Sequence, residues 1–228
     1  SGESYLTDAT INMHGKSITL RGEVDSTGAP ATTIDAQGLH RVLYMANNNG
    51  NAVFENLVFT NGYSDSNGGG MEIYASSPTL KNCVFENNVS NAWGGGVSCR
   101  NESNVTFTSC TFTDNFIEMD AGNFGGGGIY VYESSATLTD CIVTNNAANG
   151  NGGGVKINRS TTTLTGCSFT GNTEGQTGNF SGGGLYVYES SSVITSCVFT
   201  DNTATSGGGG LSFRESSSAE LINCTVTE

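Results

Sequence analysis

The sequence predicts an all-β, right-handed parallel β-helix, a solenoid of about 28 residues per coil, and three observations predict it. First, GGGGIYVYESSATLTDCIVTNN, from Gly125 to Asn146, returns 56 residues later as SGGGLYVYESSSVITSCVFTDN, from Ser181 to Asn202. Second, two unrelated landmarks keep the same step. Cysteines stand at 83, 110, 141, 167, 197 and 224, and glycine clusters close at 70, 96, 128, 154, 184 and 210; periods of roughly 20 to 50 residues mark stacked repeats. Third, apolar residues alternate with polar ones after each cluster, and no 3.6-residue period intervenes. Parallel strands without helical crossovers must be joined by coiling.

Residues 1–55 are read as opening coils, with strands at 17–22, 32–38 and 41–48. Residues 56–228 are the regular coils of one continuous solenoid, expected to be part of a longer protein. In each regular coil the first and third residues after the glycines, from Met71 and Ile73 to Leu211 and Phe213, are apolar and face inward. A second strand is expected around each cysteine, with an apolar residue three before it (Leu80 in the first such coil) and another two after it (Phe85). Leu57 stands where later coils have Cys. Asn88, Asn115, Asn146, Asn172 and Asn202, each five beyond a cysteine, are expected to stack and close the coils by hydrogen bonds.

The short motifs GGGM, GGGV, GGGI and GGGL, with FENN at 85–88, FTDN at 112–115, FTGN at 169–172 and FTDN at 199–202, resemble the repeats of the polymorphic outer membrane proteins of chlamydiae. The resemblance covers about 56–228. It departs where glycine replaces the frequent alanine of that family and where VTNN at Val143 replaces one Phe motif. It implies a secreted β-helical passenger on a bacterial surface, often an adhesin.

Composition narrows the partners. Of 228 residues, 21 are acidic and 8 basic, for a formal net charge of −13, which disfavours nucleic acid and anionic membranes. No stretch approaches the roughly 18 apolar residues of a membrane-spanning helix, so this segment is not expected to insert directly. An extracellular or bacterial cell-surface location is expected. The partners would be a host or neighbouring-cell surface, a glycan, or copies of the chain itself.

Catalysis is not expected. Polysaccharide-cleaving β-helices need carboxylate pairs or a calcium cluster beside a base. Here the only histidines are His14 and His40, no Asp-Asp pair occurs, and the eight cations are scattered along the chain, while the net charge would repel an anionic polymer. No cofactor is expected; Asp65, Asp114, Glu118 and Asp120 are weak candidates for Ca²⁺, and no metal site is read from the cysteines.

Function on a solenoid lies in its outward files. The fourth residue after each glycine cluster gives Tyr74, Arg100, Tyr132, Asn158, Tyr188 and Arg214, and the next gives Glu133 and Glu189 flanking Arg159. Such ladders stabilise a sheet through cation–π contacts and ion pairs; with Tyr130 and Tyr186 they also make an aromatic strip whose rings recur about every 9.6 Å, a spacing suited to sugars. Two longer turns, 116–124 and 174–180, join this strip as candidate binding loops. A file of Thr60, Thr113, Thr144, Thr170, Thr200 and Thr227, broken by Glu86, suggests an ice-binding face. Cys83, Cys110, Cys141, Cys167, Cys197 and Cys224 share one inward position, as buried thiols or, at about 4.8 Å, as bridgeable neighbours. An adhesin or stalk is the function these features suggest, with end-to-end self-assembly into filaments as the alternative.

Overall fold

In the computed structural model each coil lays one strand into each of three long sheets, and residues 3–6, 9–47, 52–119, 124–175 and 181–227 are described. A nine-stranded sheet runs from Glu3–Leu6 to Thr225–Thr227 and carries the phenylalanines; we call it the Phe sheet. An eight-stranded Thr sheet runs from Thr19–Arg21 to Ser218–Ile222, and an eight-stranded Tyr sheet from Ile11–Asn12 to Leu211–Arg214. A shorter five-stranded sheet of two-residue strands, Tyr63–Ser64 to Thr173–Glu174, leads into the glycines. Strands pair in parallel and in register, so that Leu80 lies beside Phe107, Phe107 beside Leu138, and Leu138 beside Leu164. The parallel solenoid expected from the repeat is therefore present, with one residue of each coil above its counterpart in the next.

The strand expected around each cysteine is in fact two. Thr79–Lys81 belongs to the Thr sheet and Val84–Glu86 to the Phe sheet, with Asn82 between them at φ 47°. The same corner recurs at Ser109, Asp140, Gly166, Ser196 and Asn223. The cause is in the spacing: Leu80 and Cys83 are three apart and both point inward, which an unbroken strand of period two cannot do. One left-handed residue turns the chain and restores the inward face.

The glycines answer to contact as well as conformation. A Cβ at Gly127 would lie 2.4 Å from the carbonyl oxygen of Gly153 and 2.5 Å from that of Ala147. Backbones of adjacent coils approach too closely there for any side chain.

Inside, three columns fill the bore. Phe59, Phe85 and Phe112 stack with ring centroids 4.9 and 5.2 Å apart, Val143 interrupts them, and Phe169 and Phe199 resume at 4.5 Å. Cys83, Cys110, Cys141, Cys167 and Cys197 are buried thiols, Cys224 is half-buried, and each donates to carbonyls of its own corner or the preceding coil, as Cys167 does to Thr165 and Leu138. Burial pushes the Cys110 thiol well up from its ordinary value. Cys99, on the Tyr sheet, is raised for the same reason.

The third column is asparagine. Asn146 Nδ2 donates to Phe112 O at 2.9 Å and to Asn172 Oδ1 at 3.0 Å, while its Oδ1 accepts from the backbone and side-chain nitrogens of Asn115 at 3.1 and 2.9 Å. Asn88, Asn115 and Asn172 repeat this pattern, and Asn202 Nδ2 closes the run on Phe169 O at 2.9 Å. A buried polar side chain is tolerated because its partners are supplied by the neighbouring coils.

The opening residues are coils of the same solenoid. Thr19–Arg21, Thr32–Asp35 and Leu43–Ala46 pair with Val53–Glu55, Leu57–Thr60 and Met71–Tyr74. Leu57 fills the cysteine position with a larger apolar group and is buried.

Candidate functional site

Stacking turns positions 26 to 32 residues apart into neighbours, and on the Tyr sheet this builds a groove of about 470 Å³. Arg100, Tyr132, Asn158, Tyr188 and Arg214 follow one another along its outer file, each half-buried, while Tyr74, half-buried one coil before Arg100, continues the file outside the groove. From the coil of Arg100 to that of Arg214 there are four steps, about 19 Å along the axis. The second file, one alternation back along each strand, runs Tyr130, Lys156, Tyr186 beside it and is buried, at 3%, 4% and 2% exposure.

Tyr130 and Tyr186 are therefore the floor of the groove and not part of an exposed strip, which corrects the sequence expectation. The turn of an earlier coil brings Trp93 over Tyr130, with centroids 5.8 Å apart and planes 18° from parallel. Tyr130 and Tyr186 in turn lie under Tyr132 and Tyr188, at 6.0 and 6.5 Å. Of the four groove tyrosines, Tyr132 and Tyr188, two coils apart, are the ones that reach solvent.

Lys156 sits between the two floor tyrosines, its Nζ 6.0 Å from the Tyr130 centroid and 5.6 Å from that of Tyr186. Burial lowers its ammonium to a pKa of about 7. The same burial raises the Tyr130 hydroxyl and pushes that of Tyr186 up to about 12.

The cations that look scattered in the sequence converge here. Arg100, Lys156, Arg159 and Arg214, four of the chain's eight, line the groove, against one lining carboxylate, Glu215. Glu133 and Glu189 are engaged by Arg159, whose Nε lies 2.7 Å from Glu189 and whose guanidinium lies 3.8 Å from Glu133. Arg100 is held over Tyr74 by Glu72, which also binds Arg41 at 2.8 Å. A chain of net charge −13 thus gathers half of its cations at one aromatic-walled trough, where Arg100 and Arg159 are held by the carboxylates of Glu72, Glu133 and Glu189.

A family model described as the right handed beta helix region matches residues 32–178 and 153–228. The chain belongs to the right-handed β-helix family. The match is to the β-helix as such and not to the chlamydial repeats. Comparison with curated proteins and with solved structures gave no match.

On this β-helix a second polar ladder positions the groove, and the sequence reading missed it. Ser76, Ser103, Ser134, Ser160, Ser190 and Ser217 stack at the corner after the Tyr sheet, each hydroxyl from Ser103 onward accepting the backbone N–H of the serine one coil before it, at 3.0 to 3.4 Å. Several also donate to the outer file: Ser160 to Asn158 O at 2.7 Å and Ser190 to Tyr188 O at 2.6 Å. The signal was available, since these serines keep the cysteine intervals of 27, 31, 26, 30 and 27.

The threonine file of the Phe sheet lies on consecutive paired strands, with Thr113, Thr144, Thr170, Thr200 and Thr227 in one row. Beside it the Thr sheet carries rows the sequence reading did not register: Thr106, Thr137 and Thr163, and Thr108, Thr139, Thr165 and Thr195. Of the two longer turns, residues 120–123 and 176–180 lie outside the described residues, so the strip's expected loops are not placed here. Asp120 is among them. Among the described residues no three His, Cys, Asp or Glu side chains gather as metal ligands would.

Proposed function

We propose that this right-handed β-helix is a non-enzymatic binding module of an extracellular or bacterial surface protein, an adhesin or stalk that holds a glycan along the Tyr-sheet groove. One observation carries this reading. Tyr132 and Tyr188 stand half-buried on the groove rim two coils apart, about 9.6 Å, with Asn158 between them, Arg159 next to it in the chain, and Arg100 and Arg214 flanking the pair. Aromatic faces at that spacing suit successive sugar rings, and guanidinium forks suit their hydroxyl and acidic groups. Glu215 lines the groove singly, and Glu133 and Glu189 beside it are tied to Arg159, which favours binding over cleavage by a pair of carboxyl groups. The resemblance of its short motifs to chlamydial surface-protein repeats and its acidic composition support a location outside the cell.

The test is binding to a printed glycan array. A set of glycans should be retained, and Tyr132→Ser with Tyr188→Ser together should weaken them at least about tenfold, since stacked rings contribute on the order of 0.5–1.5 kcal/mol each beyond their buried area. The double variant should melt like the parent, because both rings are on the rim. Retention unchanged in the variant would sink the groove as the site.

A second reading rests on a different face. From Asn104 to Thr195 the outward positions of the Thr sheet carry no charge, and their Thr and Ser hydroxyls repeat at about 4.8 Å across coils and about 6.6 Å along strands. A flat, uncharged hydroxyl and methyl lattice of this kind would order water as an ice surface does. Thermal hysteresis lost in Thr137→Lys with Thr163→Lys is the expected result; absence of hysteresis in the parent removes this reading.

A further inference from the structure

Resting on the glycan-groove reading, we infer that the ligand is anionic and that Lys156 is the group that receives its carboxylate or sulfate. The geometry gives three reasons. Lys156 is a cation at the floor of a trough, aimed between two aromatic faces and 4% exposed. A neutral sugar has no need of a buried cation, whereas an anion descending between Tyr132 and Tyr188 meets the ammonium at a point where water is largely excluded and the attraction is correspondingly strong. Of the remaining charged groups in the lining three are cations, Arg100 at one end, Arg159 at the corner of the Lys156 strand and Arg214 at the other end, against the single carboxylate of Glu215. Half the cations of an otherwise acidic chain are spent on this one trough.

A consequence is pH dependence of a definite direction. The groups facing Lys156 are Tyr130 and Tyr132 from one neighbouring strand, Tyr186 and Tyr188 from the other, and Arg100, Arg159, Arg214 and Glu215 around the groove. The floor tyrosines are held protonated by burial and the arginines stay charged, so between pH 6 and 8.5 Lys156 is the group whose charge changes. Burial lowers the free amine to about 7, and a bound anion favours the protonated form. Affinity is therefore full below pH 7 and falls as pH rises above it, by up to about tenfold per unit until the complex itself deprotonates.

The experiment is an array carrying neutral, carboxylate-bearing and sulfate-bearing glycans on matched backbones, read at pH 6 and pH 8.5 with the parent, Lys156→Met and Lys156→Arg. The parent should retain acidic glycans, at least about tenfold more weakly at pH 8.5 than at pH 6; whether the retained set is carboxylated or sulfated names the anion. Lys156→Met should lose the acidic set and the pH dependence together, and Lys156→Arg should keep the acidic set while flattening its pH profile. Retention of neutral glycans only, or acidic retention indifferent to Lys156→Met, overturns the inference and leaves the groove standing. No retention of any glycan overturns the groove reading and this inference with it.

Discussion

Replacing Lys156 by Met is expected to stabilise the folded protein at pH 6, by up to roughly 4 kcal/mol, and the gain should vanish toward pH 10. Each unit by which a pKa moves on folding corresponds to about 1.4 kcal/mol, and burial takes Lys156 from 10.5 to about 7. Below pH 7 both folded and unfolded chains carry the charge, and the folded one bears the cost of holding it buried between Tyr130 and Tyr186. Between pH 7 and about 10.5 the folded chain releases that proton while the unfolded chain keeps it, so parent stability climbs with pH. Methionine fills the same slot between Tyr130 and Tyr186 without charge and lacks that slope. Urea titrations of both proteins at pH 6, 8 and 10 give the difference directly. A difference that stays constant across the three would mean that Lys156 is solvated in solution.

Asn146→Ala is expected to cost about 4 kcal/mol, with the urea midpoint falling at unchanged slope. The substitution removes an Nδ2 that donates to Phe112 O, Thr144 O and Asn172 Oδ1 and an Oδ1 that accepts twice from Asn115, on a side chain with 0% exposure. It leaves the amide and side-chain nitrogens of Asn115 and the carbonyl of Phe112 without that partner inside the bore. Buried groups orphaned in this way cost about 1–3 kcal/mol each. Asn146→Asp keeps the acceptor but loses the donor and buries a carboxylate, so it should fare no better at neutral pH. A loss under about 1 kcal/mol for either would show that water replaces the ladder.

The fold was legible because every inward column is set by strict spacing, and the cysteine, phenylalanine and asparagine intervals can be read without coordinates. The corner before each cysteine was equally legible in the odd spacing from Leu80 to Cys83 and was passed over. The serine ladder was hidden by composition: in a chain rich in serine one column among many does not stand out, although its intervals match those of cysteine. Lys156 escaped because it is one lysine in a file otherwise of Tyr, Ser and Glu, and its meaning depends on Tyr130 and Tyr186 above and below it. Tyr130 is covered by Trp93 from the turn of an earlier coil, whose reach across coils no alternation pattern encodes.

In-register stacking also makes the chain a ruler. Because the segments at Gly125 and Ser181 are near copies 56 residues apart, the natural unit of duplication is two coils and not one. A copy of residues 125–180 inserted there would leave every inward column in step and repeat two tyrosines, Tyr130 and Tyr132, and two cations, Lys156 and Arg159, along the groove. An insertion of a few residues would instead shift Asn, Cys and Phe out of their files at once. Site length on this scaffold can therefore change only in jumps of about 9.6 Å, and the span of ligand it grips is counted in whole coils.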